Sequence, residues 1–207
     1  MTDTLTRILL IRHGVNDYIA ARRLAARLPG VHLNEQGRAQ AEALARRLAD
    51  VPLAAVYSSP LERTVETAQP LAASHGLSVV VVEEIGETDC GEWTGRLVDE
   101  VSQTELWRQI LVYPSGVRFP GGEGMADVQK RMVTALESLR QAHPGQTIAV
   151  VSHSDPIKTA LAYYIGLHLD LYHRLVISPA SISELEFTPY GPRLLRCNDC
   201  AHLQGLM

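Results

Sequence analysis

Short apolar runs alternate with stretches of helical period along most of the chain. Ile8-Leu9-Leu10-Ile11 is the first run. It is too short for a surface helix and suits a strand buried on both faces, as in a parallel sheet. Residues 15–34 are irregular and rich in arginine (Arg22, Arg23, Arg27). Residues 37–49 then follow a helical period, with Ala41, Leu44, Ala45 and Leu48 on one face. Residues 53–57 form a second apolar run. Ser58-Ser59-Pro60-Leu61-Glu62 reads as a helix start, with Ser59 as cap and Pro60 at the first helical position. That helix carries Arg63 in its first turn and runs towards Ala73, and Pro70 is predicted to kink or break it. Residues 77–82 make a third strand, followed by Glu83, Glu84 and Glu87. The stretch 88–124 is less regular. It holds both tryptophans, a Pro120-Gly121-Gly122 turn and one predicted helix over about 97–111. Residues 126–142 align Val128, Met132, Leu136 and Leu139 on a helix, and 147–151 make a fourth strand that ends in Ser152-His153-Ser154. Pro156 opens a last helix to 167, with Asp155 expected to cap it. Two closing strands are predicted over 181–187 and 192–196.

Strands alternating with helices predict an α/β protein, a three-layer α/β/α sandwich around a mostly parallel sheet. The expected organisation is one domain over 1–207, with 88–124 as a small lid over the cleft. In a parallel sheet the carboxyl ends of the strands share one edge, where ligands bind. His13 and His153 each follow a strand, so the topology brings them together, with Arg12 and Arg63 at the same edge. Gly14 lets the chain turn there and a ligand approach closely. A histidine at a strand end or an arginine in a helix's first turn is ordinary by itself. Two imidazoles and two guanidiniums on one point make a phosphate site, and a helix N-terminus adds a favourable field.

Composition narrows the class. The 207 residues are 46% hydrophobic, enough for a sizeable core. No window reaches the ~18 consecutive apolar residues of a membrane span, so no membrane partner is expected. Met1-Thr2-Asp3-Thr4 lacks the basic start and apolar core of a signal peptide. Three cysteines argue against a disulfide framework and for a cytoplasmic, reducing setting. A net charge of -4 gives no reason to expect nucleic acid. Of 19 lysines and arginines only Lys130 and Lys158 are lysines. Base composition or thermal adaptation explains that bias more readily than forked donors for oxyanions do. His32, His75, His143, His168, His173 and His202 lack metal-ligand spacing. Cys197-Asn198-Asp199-Cys200 with His202 nearby would need further ligands to hold zinc. Neither metal nor cofactor is expected, and a homodimer is left open.

Arg12-His13-Gly14 after an apolar strand resembles the signature of the histidine phosphatase superfamily, the phosphoglycerate-mutase-like fold. Further blocks follow in that family's order: Leu33-Asn34-Glu35-Gln36-Gly37-Arg38-Ala39-Gln40-Ala41, then Ser58-Ser59-Pro60-Leu61-Glu62-Arg63-Thr64. Glu87-Thr88-Asp89-Cys90-Gly91-Glu92-Trp93-Thr94-Gly95 resembles the acid-bearing block, Pro120-Gly121-Gly122-Glu123 its turn, and Val151-Ser152-His153 its second-histidine block.

The resemblance implies a metal-independent phosphatase acting on a small phosphorylated metabolite through a phosphohistidine. His13 would be the nucleophile, with its other ring nitrogen donating to an acceptor. Arg12, Arg63 and His153 would clamp the phosphoryl oxygens. Glu87 would protonate the leaving oxygen and then activate water. Glu83 and Glu84 compete for that role, and Glu87 is preferred because it aligns with Gly91 and Trp93. Asn16 stands where the family often has Ser or Thr, and its amide could bind the phosphate. Ser154 stands where glycine is common. Arg22, Arg23 and Arg27 are candidates for the cleft rim, though solvation is their ordinary fate. A cofactor-dependent phosphoglycerate mutase is the competing reading. It is disfavoured because Gly86-Glu87-Thr88-Asp89-Cys90-Gly91 departs from the "N-E-R-H-Y-G" of such mutases. A non-catalytic module that binds phosphorylated ligands is disfavoured because every presumed catalytic position holds a competent residue.

Overall fold

The computed structural model describes residues 5–206. The N-terminal residues read for a leader, and Met207, lie outside the described range. The chain runs β1 (Thr6–Arg12), α1 (Asp17–Ala20), α2 (Glu35–Leu48), β2 (Leu53–Ser58), α3 (Glu62–Ser74) and β3 (Val79–Val81). It continues through α4 (Val98–Val101), α5 (Glu105–Val112), α6 (Met125–Ala142), β4 (Thr147–Ser152), α7 (Ser154–Tyr164), β5 (Ile182–Thr188) and β6 (Gly191–Asp199). Six strands form one sheet in the order β3-β2-β4-β1-β5-β6. The first four are mutually parallel, and β5 and β6 close one side antiparallel.

The uninterrupted apolar run of β1 follows from burial on both faces. Ile8 and Leu10 pack with Ile148 and Val150 against Met132 and Leu136 of α6 and Ile157 and Leu161 of α7. Leu9 and Ile11 pack with Ala149 and Val151 against Leu44 and Leu48 of α2 and Ala68 and Leu71 of α3. Ile8, Leu9, Leu10 and Ile11 are each at most 4% exposed, so a charge at any of them would enter the core. The expected sandwich is therefore what forms, with helices on both faces.

Local differences from the sequence reading have physical causes. Asn34 caps α2 by accepting from the Gly37 amide at 2.9 Å, so the helix begins at Glu35, two residues early. Ser59 does not cap α3, whose N-cap is Leu61 without a side-chain bond, and Pro60 stays outside the helix. Pro70 lies inside α3 and does not end it. The helix expected over 97–111 is two, α4 and α5, separated by a turn where the Thr104 hydroxyl accepts from the Trp107 amide and restarts the coil. α7 begins at Ser154, directly after His153, and makes no side-chain cap bond. Asp155 lies in its first turn and does not cap it.

The stretch 88–124 packs into an apolar cluster that it shares with α6, α7 and the turn at 169–174. Trp93 and Phe119 meet edge to face at 5.7 Å between ring centroids, packed with Val101, Ile110, Met125 and Tyr172. Backbone bonds tie it to the arginine-rich loop: Leu24 N–H to Arg96 O, Gly95 N–H to Leu24 O and Val98 N–H to Arg22 O. Among the described residues no helix is long and apolar enough to cross a membrane.

Candidate active site

The carboxyl ends of β1 and β4 lie side by side, with Arg12 opposite Ser152 in register. His13 and His153 follow these ends, and their ring centroids are 5.2 Å apart. One cavity of about 160 Å³ is lined by Arg12, His13, Asn16, Arg63 and Glu87, and by Asp155 and Arg23 further along its walls. His13, His153, Arg63 and Asn16 are each at most 4% exposed.

The backbone around His13 is held from several sides. Its amide donates to Ser152 O at 3.0 Å, and the Ala180 amide reaches Arg12 O and His13 O. Gly14 N–H donates to Thr67 Oγ1 at 3.0 Å. A Cβ on Gly14 would lie 2.8 Å from the Gly37 carbonyl oxygen, and one on Gly37 would lie 2.0 Å from Val15 O. Only glycines let the loop and α2 approach this closely. Gln40 completes the hold by accepting from Val15 N–H.

His13 Nδ1 stands 2.7 Å from Gly14 O. A carbonyl can only accept, so Nδ1 carries the proton and Nε2 keeps its lone pair. Burial, then Arg12 and Arg63, push the imidazole pKa well below its ordinary value, which keeps Nε2 unprotonated at neutral pH. His153 is lowered in the same way by burial and by Arg63. Its Nε2 lies 2.8 Å from the Ser59 hydroxyl, and its Nδ1, 3.5 Å from Glu87 Oε2, has no hydrogen-bond partner. Ser59, read from sequence as a cap, thus serves the second histidine.

Several donors at the site are unspent. Arg12 donates one bond to Ile177 O and Arg63 one to Ala26 O, both at 2.7 Å. Arg12 Nε, Arg63 Nε and Nη1 and Asn16 Nδ2 are buried without partners. Asn16 Oδ1 accepts from Ile19 N–H at 3.0 Å, so its amide group is oriented with the NH₂ free. Buried unpaired N–H groups on cations cost stability unless a ligand satisfies them.

Glu87 is the carboxyl that meets both histidines. Its side chain is 18% exposed, and burial followed by the Asp155 charge raises its pKa against the pull of Arg63. Glu83 and Glu84 are exposed on a short 3₁₀ turn. His13, Glu87 and His153 also place three potential metal-ligand atoms within 4.8 Å of one another. The flanking guanidiniums of Arg12 and Arg63 make the point repulsive to a metal cation and attractive to an oxyanion. Cys197 and Cys200 belong to no group of three potential ligands among the described residues.

Arg131 of α6 escaped sequence reading because it flanks the apolar stripe at Val128 and Met132. All five of its N–H groups are used. Nε and Nη2 reach Glu123 Oε1 and Oε2 at 2.8 and 3.1 Å, Nη1 reaches Glu84 O and Gly86 O at 2.7 Å, and Nη2 reaches Glu87 O at 2.9 Å. Arg27 adds bonds to Glu87 O and Glu123 Oε2. A cradle of two arginines and Glu123 therefore sets the backbone from which Glu87 projects. Arg27 belongs to it, whereas exposed Arg22 pairs with Asp99 and Arg23 bonds Gly95 O beside the cavity. The glycines of the acid block and the turn allow their contact: a Cβ on Gly91 would fall 2.0 Å from Pro120 O.

This arrangement defines a protein built to handle phosphoryl groups, and comparison with known proteins agrees. The family model described as histidine phosphatase superfamily (branch 1) matches residues 8–200, and the chain belongs to that family. It is 33% identical over 201 residues to phosphoserine phosphatase 1 of Hydrogenobacter thermophilus, covering 96% of this chain and 95% of that one. It is 30% identical over 206 residues to a probable phosphoglycerate mutase, GpmB, of Yersinia pestis, covering 96% and 95%. Among solved structures, a mutant of phosphoserine phosphatase from Entamoeba histolytica, in complex with phosphoserine, superposes with a TM-score of 0.88 at 26% identity, covering 96% of this chain and 99% of that one.

Proposed function

We propose that this chain is a phosphatase that hydrolyses a small phosphomonoester through a phosphohistidine on His13, without a metal. The observation that carries the reading is the set of unpartnered buried N–H groups on Arg12, Arg63 and Asn16 around the free Nε2 of His13. In the first step Nε2 attacks phosphorus in line. The P–N bond forms as the P–O bond to the leaving group breaks, and the leaving oxygen takes the proton of Glu87. Arg12, Arg63 and the Asn16 amide hold the non-bridging oxygens, and their fixed donors stabilise the spreading charge. With the Ser59 hydroxyl donating to His153 Nε2, the unpartnered Nδ1–H beside Glu87 is a further donor for those oxygens. In the second step water attacks phosphorus, Glu87 takes its proton, the P–N bond breaks and inorganic phosphate leaves. His13 ends neutral and Glu87 protonated, as both began.

A cavity of about 160 Å³ is below the ~300 Å³ at which pockets for drug-sized ligands begin, which favours a small metabolite. Residues 88–124 act as a lid, supported by the bonds between 95–98 and 22–24. A cytoplasmic setting is part of the reading and rests on the free thiols of Cys90, Cys197 and Cys200. A second reading, mutase, is favoured by the likeness to GpmB. Hydrolysis of an aryl phosphate in the presence of chelator, with a label trapped on His13 by rapid acid quench, tests the first reading. Interconversion of 2- and 3-phosphoglycerate, stimulated by bisphosphoglycerate, would support the second. Full activity in His13→Ala would remove the nucleophile assignment.

A further inference from the structure

The mechanism above gives no task to two charges that line the cavity, Arg23, which bonds Gly95 O, and Asp155. Asp155 lies in the first turn of α7, makes no cap bond there, and lines the same cavity as Glu87. Its nearest cationic partner is Lys158 Nζ at 3.6 Å, one turn along the helix, and its side chain is 35% exposed. Lys158 is its one ion-pair partner among the described residues, and the carboxylate still lines the cavity.

The charges in the cavity are unevenly distributed by function. Arg12, Arg63, His13 and Asn16 surround the position of the phosphoryl group. The leaving group departs on the side of Glu87, where Asp155 is the other anion lining the cavity and Arg63 and Arg12 are the nearby cations. The remaining lining includes Tyr18, Ile19, Leu24, Thr88, Cys90 and Ser154, and Arg23 is exposed. A carboxylate carried close to the ester oxygen would stand against a like charge in a partly desolvated pocket. An ammonium there would be attracted. At the short range such a cavity imposes, either effect is worth about tenfold to a hundredfold in transition-state binding.

We propose that Asp155 is a specificity-determining residue that selects phosphomonoesters whose leaving group carries an ammonium near the ester oxygen and rejects those carrying only a carboxylate there. This rests on the phosphatase reading above. Asp155 also raises the proton affinity of Glu87, so changing it alters every substrate's rate. The informative quantity is therefore a ratio between substrates of matched size.

Three esters of two-carbon alcohols supply it: phosphoethanolamine, ethylene glycol monophosphate and 2-phosphoglycolate, which differ in bearing an ammonium, a hydroxyl or a carboxylate. The wild-type kcat/KM falls in that order, with the first at least tenfold above the last. Asp155→Asn reduces the ammonium-to-carboxylate ratio about tenfold or more, and Asp155→Lys inverts it, with melting temperatures showing that both variants fold. A ratio near one in the wild type, or one that neither variant moves, overturns the inference and leaves the phosphatase reading standing. Failure to turn over any of the three or an aryl phosphate sinks the phosphatase reading and this inference with it.

Discussion

Replacing Arg131 by methionine keeps the aliphatic packing of α6 and removes the guanidinium that organises the acid loop. Five hydrogen bonds vanish. Arg27 still serves Glu87 O and Glu123 Oε2, and the Glu84 carbonyl is exposed to water, so the groups left wanting are Gly86 O and Glu123 Oε1. Each buried unsatisfied group costs about 1–3 kcal/mol. Arg131 and Glu123 are 17% and 18% exposed, so water recovers part of this. The expected loss is about 2–4 kcal/mol of stability, or about 5–15 °C in Tm for a chain of this size. The kinetic effect is selective. A misplacement of about 1 Å costs ~10²-fold where geometry matters, and the acid matters only when the leaving oxygen needs a proton. Arg131→Met should therefore lower kcat/KM for an alkyl phosphate about a hundredfold, and for p-nitrophenyl phosphate less than about tenfold. Steady-state rates on both substrates and a thermal melt decide the matter. A lowered Tm with an unchanged alkyl-to-aryl ratio would show that the cradle serves the fold and not the acid.

Other outcomes follow from the same geometry. Glu87→Gln should slow esters with poor leaving groups far more than aryl phosphates, and equal losses on both would count against the acid role. For alkyl phosphates the acid limb of kcat/KM should lie below the ordinary imidazole range, because His13 is depressed, and activity should fall as pH rises through the raised pKa of Glu87; aryl phosphates should lose that upper limb. His13 and His153 have folded pKa values below their unfolded ones. Their contribution to stability is thus present above about pH 6.5 and is lost as pH falls towards the folded values, by up to ~1.4 kcal/mol per unit for each histidine; urea midpoints across that window measure it, and a flat profile would contradict the burial argument. Pro70→Ala in α3 should stabilise by on the order of 1–3 kcal/mol, since proline forfeits an interior hydrogen bond and clashes with the preceding turn; an unchanged Tm would mean that the helix is already relaxed there.

The layers and the meeting of the histidines were legible in the sequence because both rest on strong local signals. A strand such as Ile8–Ile11 is continuous in apolar character, and topology does the rest. What escaped reading depended on side chains meeting across long separations. Ser59 has every mark of a cap, and only the presence of His153, 94 residues on, gives its hydroxyl another partner. Asp155 reads as a cap because it follows a strand end, yet α7 starts one residue before it. Arg131 sits beside an apolar stripe where arginine is usually solvated, and its partners lie on the acid loop and the Glu123 turn. The single helix expected over 97–111 failed because Thr104 competes locally for the Trp107 amide, a choice that hydrophobic period alone does not register.

The strand that bears His13 also constrains how the enzyme comes into being. β1 leaves the ribosome ahead of the rest of the sheet, but its two neighbours, β4 and β5, are translated about 140 and 175 residues later, as Ile8 pairs with Ile148 on one side and Leu185 on the other. Such non-local pairing slows folding and leaves a nascent apolar strand waiting for cover. The His13 imidazole is consequently seated in its cavity only once β5 has been made, so a chain stalled before that point carries the histidine without the site around it.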